Sequence, residues 1–88
     1  MGAEFWKEFL AIMNKAIEKQ IGNNIRILRE KAGLTQDQLS ARLQINGCDI
    51  TRSAIAKIEV GQRHLYPDEI ILLRKLLCST YEDIFRIE

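Results

Sequence analysis

Four polar side chains within seven residues could donate hydrogen bonds from one exposed helix face. They are Thr51, Arg52, Ser53 and Lys57. Ile55 and Ile58 fall at the spacing of a buried face on the same helix, so the polar set is expected to point outward. Arg and Lys on such a face can donate to O6 and N7 of guanine, and the simplest alternative is a solvated polar surface.

No catalytic or metal-binding constellation is apparent elsewhere. One His and two Cys, Cys48 and Cys78, are too few for a usual zinc site and include no Cys-x-x-Cys pair. There is no Ser–His, Cys–His or carboxylate pairing and no Gly-rich phosphate loop. We therefore expect a protein that is not an enzyme and that uses no metal and no cofactor. Its cysteine usage favours a reducing, cytoplasmic setting, and no apolar run is long enough to predict a membrane span.

The 88 residues allow one domain with a modest core, and their charge is unevenly distributed. Residues 21–66 contain seven Lys or Arg and four Asp or Glu, a net charge of +3, whereas the whole chain carries +1. The middle of the chain is therefore mildly basic, which gives limited support for a polyanionic partner.

Residues 4–20 are predicted to form a separate amphipathic helix. Apolar residues recur there at three- and four-residue spacing, and Gly22 is interpreted as its boundary. We divide the chain into an N-terminal helix, residues 1–20, and a domain, residues 21–88, that contains five further helices. Residues 1–12 are either an extension ahead of a natural start at Met13 or a native dimerisation element.

Capping residues and apolar spacing predict the helices of the domain and its core. Start signals are a Thr35–Gln38 capping box, Thr51, Pro67 and a Thr80–Asp83 pair. The apolar positions assigned to the core are Ile25, Leu28, Leu39, Leu43, Ile55, Ile58, Leu73, Leu77 and Phe85. Residues 44–50 are expected to be irregular, with a turn at Asn46-Gly47.

Two short helices joined by a connection and braced by an earlier helix are the plan of a helix-turn-helix. The stretches that resemble a known family are IRILR at 25–29, AGLTQDQL at 32–39, RSAIAKIEVG at 52–61 and YEDIF at 81–85. In this order they resemble the phage-repressor and Cro family of regulators, from about residue 21 to residue 85. The resemblance implies an all-α, five-helix, lambda-repressor-like domain, here with an additional N-terminal helix. The segment 44–50, which contains Cys48, is about five residues longer than is usual in that family.

The resemblance also assigns roles to individual side chains. A recognition helix over about residues 52–60 would lie in the major groove, with Arg52, Ser53 and Lys57 at base-reading positions. Thr51, at the exposed start of this helix, is also expected to contact bases. Gln36, at the start of its helix, would contact a phosphate, and the loop residue Arg63 could reach another. Arg29 and Glu59 match a family ion pair that holds the recognition helix, the alternative being two independent surface charges.

As a function, these observations favour a repressor-like transcriptional regulator that binds double-stranded DNA as a homodimer. The alternative is a module for an unidentified protein partner, such as the antitoxin of a toxin–antitoxin pair. Two apolar surfaces could form the dimer: the C-terminal end, with Tyr81, Phe85 and Ile87, or the leading helix. The apolar side chains of the leading helix that could contribute are Phe5, Trp6, Phe9 and Leu10.

Overall fold

The computed structural model describes residues 3–87, with the side chains of Lys7 and of residues 14–87. That part of the chain contains five α-helices and no strand. The helices are α1 (Ala3–Lys31), α2 (Gln36–Ile45), α3 (Arg52–Glu59), α4 (Pro67–Leu76) and α5 (Tyr81–Phe85). The predicted all-α fold class is confirmed. None of these helices is both long enough and apolar enough to cross a bilayer.

The predicted helix boundary at Gly22 is wrong, because α1 runs without interruption for 29 residues. A Cβ atom at Gly22 would overlap the carbonyl oxygen of Ile58, near the end of α3. The glycine therefore allows two backbones to meet and does not end a helix. The leading residues extend α1, so the described part of the chain has five helices rather than six. The apolar side chains predicted for residues 5–10 lie outside the described side chains.

The helix starts inside the domain follow the predicted capping chemistry. Thr35 Oγ1 accepts a hydrogen bond from the backbone N–H of Gln38 at 3.1 Å, and Gln38 Oε1 accepts one from the N–H of Thr35 at 2.9 Å. Thr51 Oγ1 accepts from the N–H of Ala54 at 3.2 Å. Thr80 and Asp83 make the same reciprocal pair before α5. These caps satisfy first-turn N–H groups that a helix leaves without partners.

The core lies where α3 packs against α1 and α2, with α4 against α2 and α5 against α1. Its buried apolar members are Ile25, Leu34, Leu39, Leu43, Ile50, Ile55, Ile58, Leu73, Leu77 and Ile84. Leu28 is half-buried against this cluster. The assignment of Phe85 to the core is wrong, since 43% of it is exposed whereas its neighbour Ile84 is fully buried. Successive residues of a helix are about 100° apart, so only one of the two can face α1.

We expect Gly22→Ala to destabilise the protein although alanine is the better helix former. The added methyl group meets backbone at the α1–α3 contact, and overpacking of this kind costs about 1–3 kcal/mol. Helix propensity alone would stabilise by about 1 kcal/mol. Urea unfolding measures the difference, with Asn14→Ala at an exposed position of α1 as the propensity control. A Gly22→Ala protein as stable as Asn14→Ala would contradict the close approach.

Candidate nucleic-acid interface

The outer face of α3 carries the four polar residues singled out from the sequence. Arg52, Ser53 and Lys57 are exposed, while Ile55 and Ile58 of the same helix are buried in the core. Thr51 is also exposed, and its hydroxyl oxygen accepts the capping hydrogen bond from Ala54. Because a hydroxyl both accepts and donates, the O–H of Thr51 can still donate outward. The face thus combines two cationic and two hydroxyl donors.

An acidic residue that the sequence analysis did not single out lies beside this face. Asp37, in the first turn of α2, approaches Arg52 with its Oδ2 atom 3.8 Å from Nε, and both side chains are exposed. An exposed pair at this distance contributes little to stability. Its consequence is geometric, since the starts of α2 and α3 lie side by side on one surface.

Arg29 and Glu59 are brought together beneath this surface. Arg29 donates from Nε to Glu59 Oε2 at 2.7 Å and from Nη2 to Oε1 at 3.1 Å. Its Nη1 atom also donates to the carbonyl oxygen of Leu34 at 2.8 Å. The side chains are 11% and 2% exposed, respectively. The hydrogen bond to Glu59, against the opposing effect of burial, raises the pKa of Arg29 above its ordinary value.

Gln36 joins the same network, a contact that no sequence signal revealed. Its Nε2 atom donates to Glu59 Oε1 at 3.0 Å. An ionised carboxylate only accepts, so the amide group must turn its nitrogen towards Glu59. One N–H of that nitrogen is used inside the protein, and the second is the one that could reach a phosphate.

Arg63 does not extend freely from the loop after α3. It forms a two-pronged ion pair with Glu69 of α4, from Nη1 to Oε1 at 3.0 Å and from Nη2 to Oε2 at 3.1 Å. The N–H of Tyr66 donates to the same carboxylate at 3.0 Å. A guanidinium has five N–H donors, so this pairing leaves some of them for another acceptor. Arg63 therefore anchors the loop to α4, a role that the sequence analysis missed.

Burial alone would raise the pKa of Glu69, but the hydrogen bonds from Arg63 and from the N–H of Tyr66 outweigh it. The net effect is a pKa below the ordinary value of 4.5. Because the carboxylate is charged more readily in the folded state, its stabilising contribution is complete above that value. The contribution is lost as the pH falls through the lower folded-state pKa.

The long connection between α2 and α3 is held by hydrogen bonds to α2 and by the burial of Ile50. Ile50 is buried, and its carbonyl oxygen accepts a hydrogen bond from Ser40 Oγ at 2.7 Å. The N–H of Cys48 donates to the carbonyl oxygen of Leu43 at 2.9 Å. Gly47 has a φ angle of +82°, which suits the turn predicted at Asn46-Gly47. The extra residues thus form a closed turn between α2 and α3.

Cys48 and Cys78 are both free thiols, so neither staples this turn. Burial, followed by the nearby carboxylates of Glu69 and Asp68, raises the pKa of Cys48. A thiol in such surroundings is less reactive than an ordinary cysteine.

Among the side chains that the structure describes, no three His, Cys, Asp or Glu residues are grouped as metal ligands would be.

We expect Arg29→Met to lower the free energy of unfolding by about 3–5 kcal/mol, because it leaves the Glu59 carboxylate buried without its partner. The double variant Arg29→Met/Glu59→Leu removes both charges and should recover much of that loss. Arg26→Met is the control, since Arg26 forms an exposed pair with Glu30 at 3.4 Å. Denaturant unfolding compares the three. An Arg29→Met variant no less stable than Arg26→Met would show that the buried pair does not hold α3.

We expect Glu69→Gln to be less stable than the unaltered protein at neutral pH and to approach it in acid. The difference in unfolding free energy should shrink as the pH falls below 4.5, where the unfolded-state carboxyl is protonated. Glu82→Gln, at an exposed position of α5, removes the same charge as a control. Thermal unfolding at a series of pH values between about 3 and 7 measures the stability difference between the two proteins, because linkage predicts that it changes within this range. A difference that does not change with pH would contradict it.

Comparison with known proteins bears on the same part of the chain. A family model described as helix-turn-helix matches residues 25–77, from the second half of α1 to the residue after α4. No curated protein and no solved structure gives a significant match. The matched region contains α2, the long turn, α3 and both partners of the buried ion pair. The chain belongs to the helix-turn-helix family of DNA-binding regulators, of the phage-repressor and Cro type.

Proposed function

We propose that the chain is a non-enzymatic, cytoplasmic, repressor-like regulator that recognises a specific sequence in double-stranded DNA. In this proposal the recognition helix, residues 52–60, enters the major groove. The observation that supports it most directly is the division of α3 into a buried aliphatic face and an exposed donor face. A helix fits the major groove, where each base pair offers a distinct pattern of donors and acceptors.

Base recognition is proposed for Thr51, Arg52, Ser53 and Lys57. The two cations suit the O6 and N7 acceptors of guanine, and the hydroxyl groups can either donate or accept. All four are exposed: Thr51, Arg52 and Ser53 at the start of α3, near Asp37 of α2, and Lys57 in its last turn. The proposal assigns sequence preference to these side chains, because contacts to base edges carry sequence information.

Phosphate contact is proposed for Gln36 and Arg63. Gln36 begins α2, where the helix dipole favours an anion, and its amide nitrogen retains a second N–H. Arg63 keeps guanidinium donors beyond those that bind Glu69 and the carbonyl oxygen of His64. Such contacts fix the position of the protein on the duplex without selecting a sequence.

A homodimer on a twofold-symmetric operator completes the proposal. One recognition helix covers few base pairs, and two helices about 34 Å apart would read successive turns of one face of B-DNA. The exposed apolar side chains of Tyr81, Phe85 and Ile87 support a dimer surface at the C-terminal end. The same surface could instead hold a protein partner, as in an antitoxin, and copurification of a toxin would favour that alternative.

The division of the chain into residues 1–20 and 21–88 remains a prediction.

The test is selection of bound sequences from a random duplex pool, followed by four single alanine variants. Arg52→Ala and Lys57→Ala should change the preferred sequence, with a loss of about 1–3 kcal/mol of discrimination at the affected position. Gln36→Ala and Arg63→Ala should weaken binding to all duplexes alike. Arg42→Ala, on the exposed side of α2, is the control for the loss of one positive charge.

Three outcomes would contradict the proposal or one of its parts. A pool that yields no preferred sequence would exclude sequence-specific recognition by this chain. If Arg52→Ala lowered affinity for preferred and unrelated duplexes by the same factor, its base-reading role would be wrong. A consensus without twofold symmetry would exclude the homodimer while leaving recognition by α3 intact.

A further inference from the structure

A groove of about 580 Å³ lies between α1 and the end of α3. We call it the α1–α3 groove. Lys15 and Lys19 line it from α1, and Val60, Gly61 and Gln62 line it from the other side. Neither lysine belongs to the recognition helix or to the residues predicted from the sequence. Both are exposed, and they are four residues apart, which gives them one side of α1.

The backbones on the two sides of the groove touch. A Cβ atom at Gly61 would lie 2.8 Å from Cα of Lys19, which is closer than real side chains allow. Gly61 also has a φ angle of +79°, in the left-handed region that favours glycine. The position of Lys19 is therefore fixed relative to the end of α3, and Lys15 lies one helical turn further along α1.

The groove continues the face of α3 that is proposed to read DNA. Ser53, Lys57 and Val60 are spaced by four and three residues, so they share one side of the helix. Val60 is 55% exposed and forms part of the groove wall. A duplex lying along Ser53 and Lys57 would therefore pass beyond the end of α3 in the direction of the two lysines.

The charges in the groove suit a polyanion. The two lysines face one carboxylate, that of Glu18, which is half-buried and contacts Nδ1 of His64 across the groove. The acidic group thus has a partner within the protein, whereas the lysine ammonium groups are exposed on flexible stems. The phosphodiester groups that border the major groove are negatively charged, so they complement the two lysines.

We infer that Lys15 and Lys19 contact phosphates of the DNA strand that borders the major groove entered by α3. This inference rests on the proposed function, and it makes the long first helix part of the DNA-binding surface. Because contacts to phosphates carry no sequence information, the two lysines add affinity without adding sequence preference.

The test compares the salt dependence of binding in two matched double variants. Lys15→Gln/Lys19→Gln removes the groove lysines, and Lys31→Gln/Lys75→Gln removes two exposed lysines elsewhere, with the same change in net charge. Glutamine is a good helix former, so all four positions should remain helical, and a melting curve checks this. Each protein is titrated with a selected duplex and with a scrambled duplex of equal length.

Loss of two phosphate contacts should reduce the slope of log Kobs against log salt by about 1.8 in the groove variant. Between about 50 and 200 mM salt, the factor by which its affinity decreases should then be about ten times smaller than the factor for the unaltered protein. The preferred sequence should stay the same, and the control variant should keep the original slope.

An unchanged slope in the groove variant, or an equal decrease in both variants, would overturn the inference. The scrambled duplex separates this result from failure of the proposed function. If the protein did not distinguish the two duplexes, sequence-specific recognition would fail. The slopes on either duplex would still decide whether the groove lysines contact phosphate.

Discussion

The Glu59 carboxylate, at the end of α3, is the group on which the arrangement of the first three helices depends. It is almost completely buried, and a buried charge is tolerated only when it is paired and hydrogen-bonded. Arg29 of α1 supplies two donors, and Gln36 of α2 supplies a third. Since these donors come from two different helices, one carboxylate fixes the position of α3 against both of its neighbours. Gly22, where α1 meets the same end of α3, allows the close approach that this geometry requires.

This buried network accounts for the freedom of the opposite face of α3. The helix has only eight residues, too few to be stable on its own in water. Its core side chains and Glu59 supply the tertiary contacts that hold it, so the exposed side chains of Arg52, Ser53 and Lys57 need not contribute to folding. The loop after α3 is anchored in a similar way, by the ion pair between Arg63 and Glu69. Two internal carboxylates thus support a surface on which cations predominate.

The longer connection before α3 shows how an insertion can leave a helix in place. Ile50 is buried in the core, and Ser40 holds its carbonyl oxygen, so the chain returns to a fixed point just before Thr51 caps α3. The additional residues are accommodated in the turn around Asn46 and Gly47, on the outside. Loops tolerate added length at modest entropic cost when their ends are fixed. The exposed start of α3 is therefore set by the core contact of Ile50 rather than by the length of the turn.

Local chemistry determined the parts of this protein that could be predicted from its sequence. A capping box joins residues three apart, and an inward face repeats every three or four residues, so the helix starts and most of the core followed from short-range pattern. The tertiary structure decided whatever depended on a distant neighbour. From its residue type alone Gly22 is predicted to end a helix, and only the fold shows that the carbonyl oxygen of Ile58 lies against it. Apolar spacing places Phe85 in the core, but packing against α1 buries Ile84 instead. The hydrogen bond from Gln36 to Glu59 and the capture of Arg63 by Glu69 likewise required the folded chain. Outside such caps, a polar side chain has no preferred partner in sequence, and its partner is whichever complementary group the packing brings within about 3 Å.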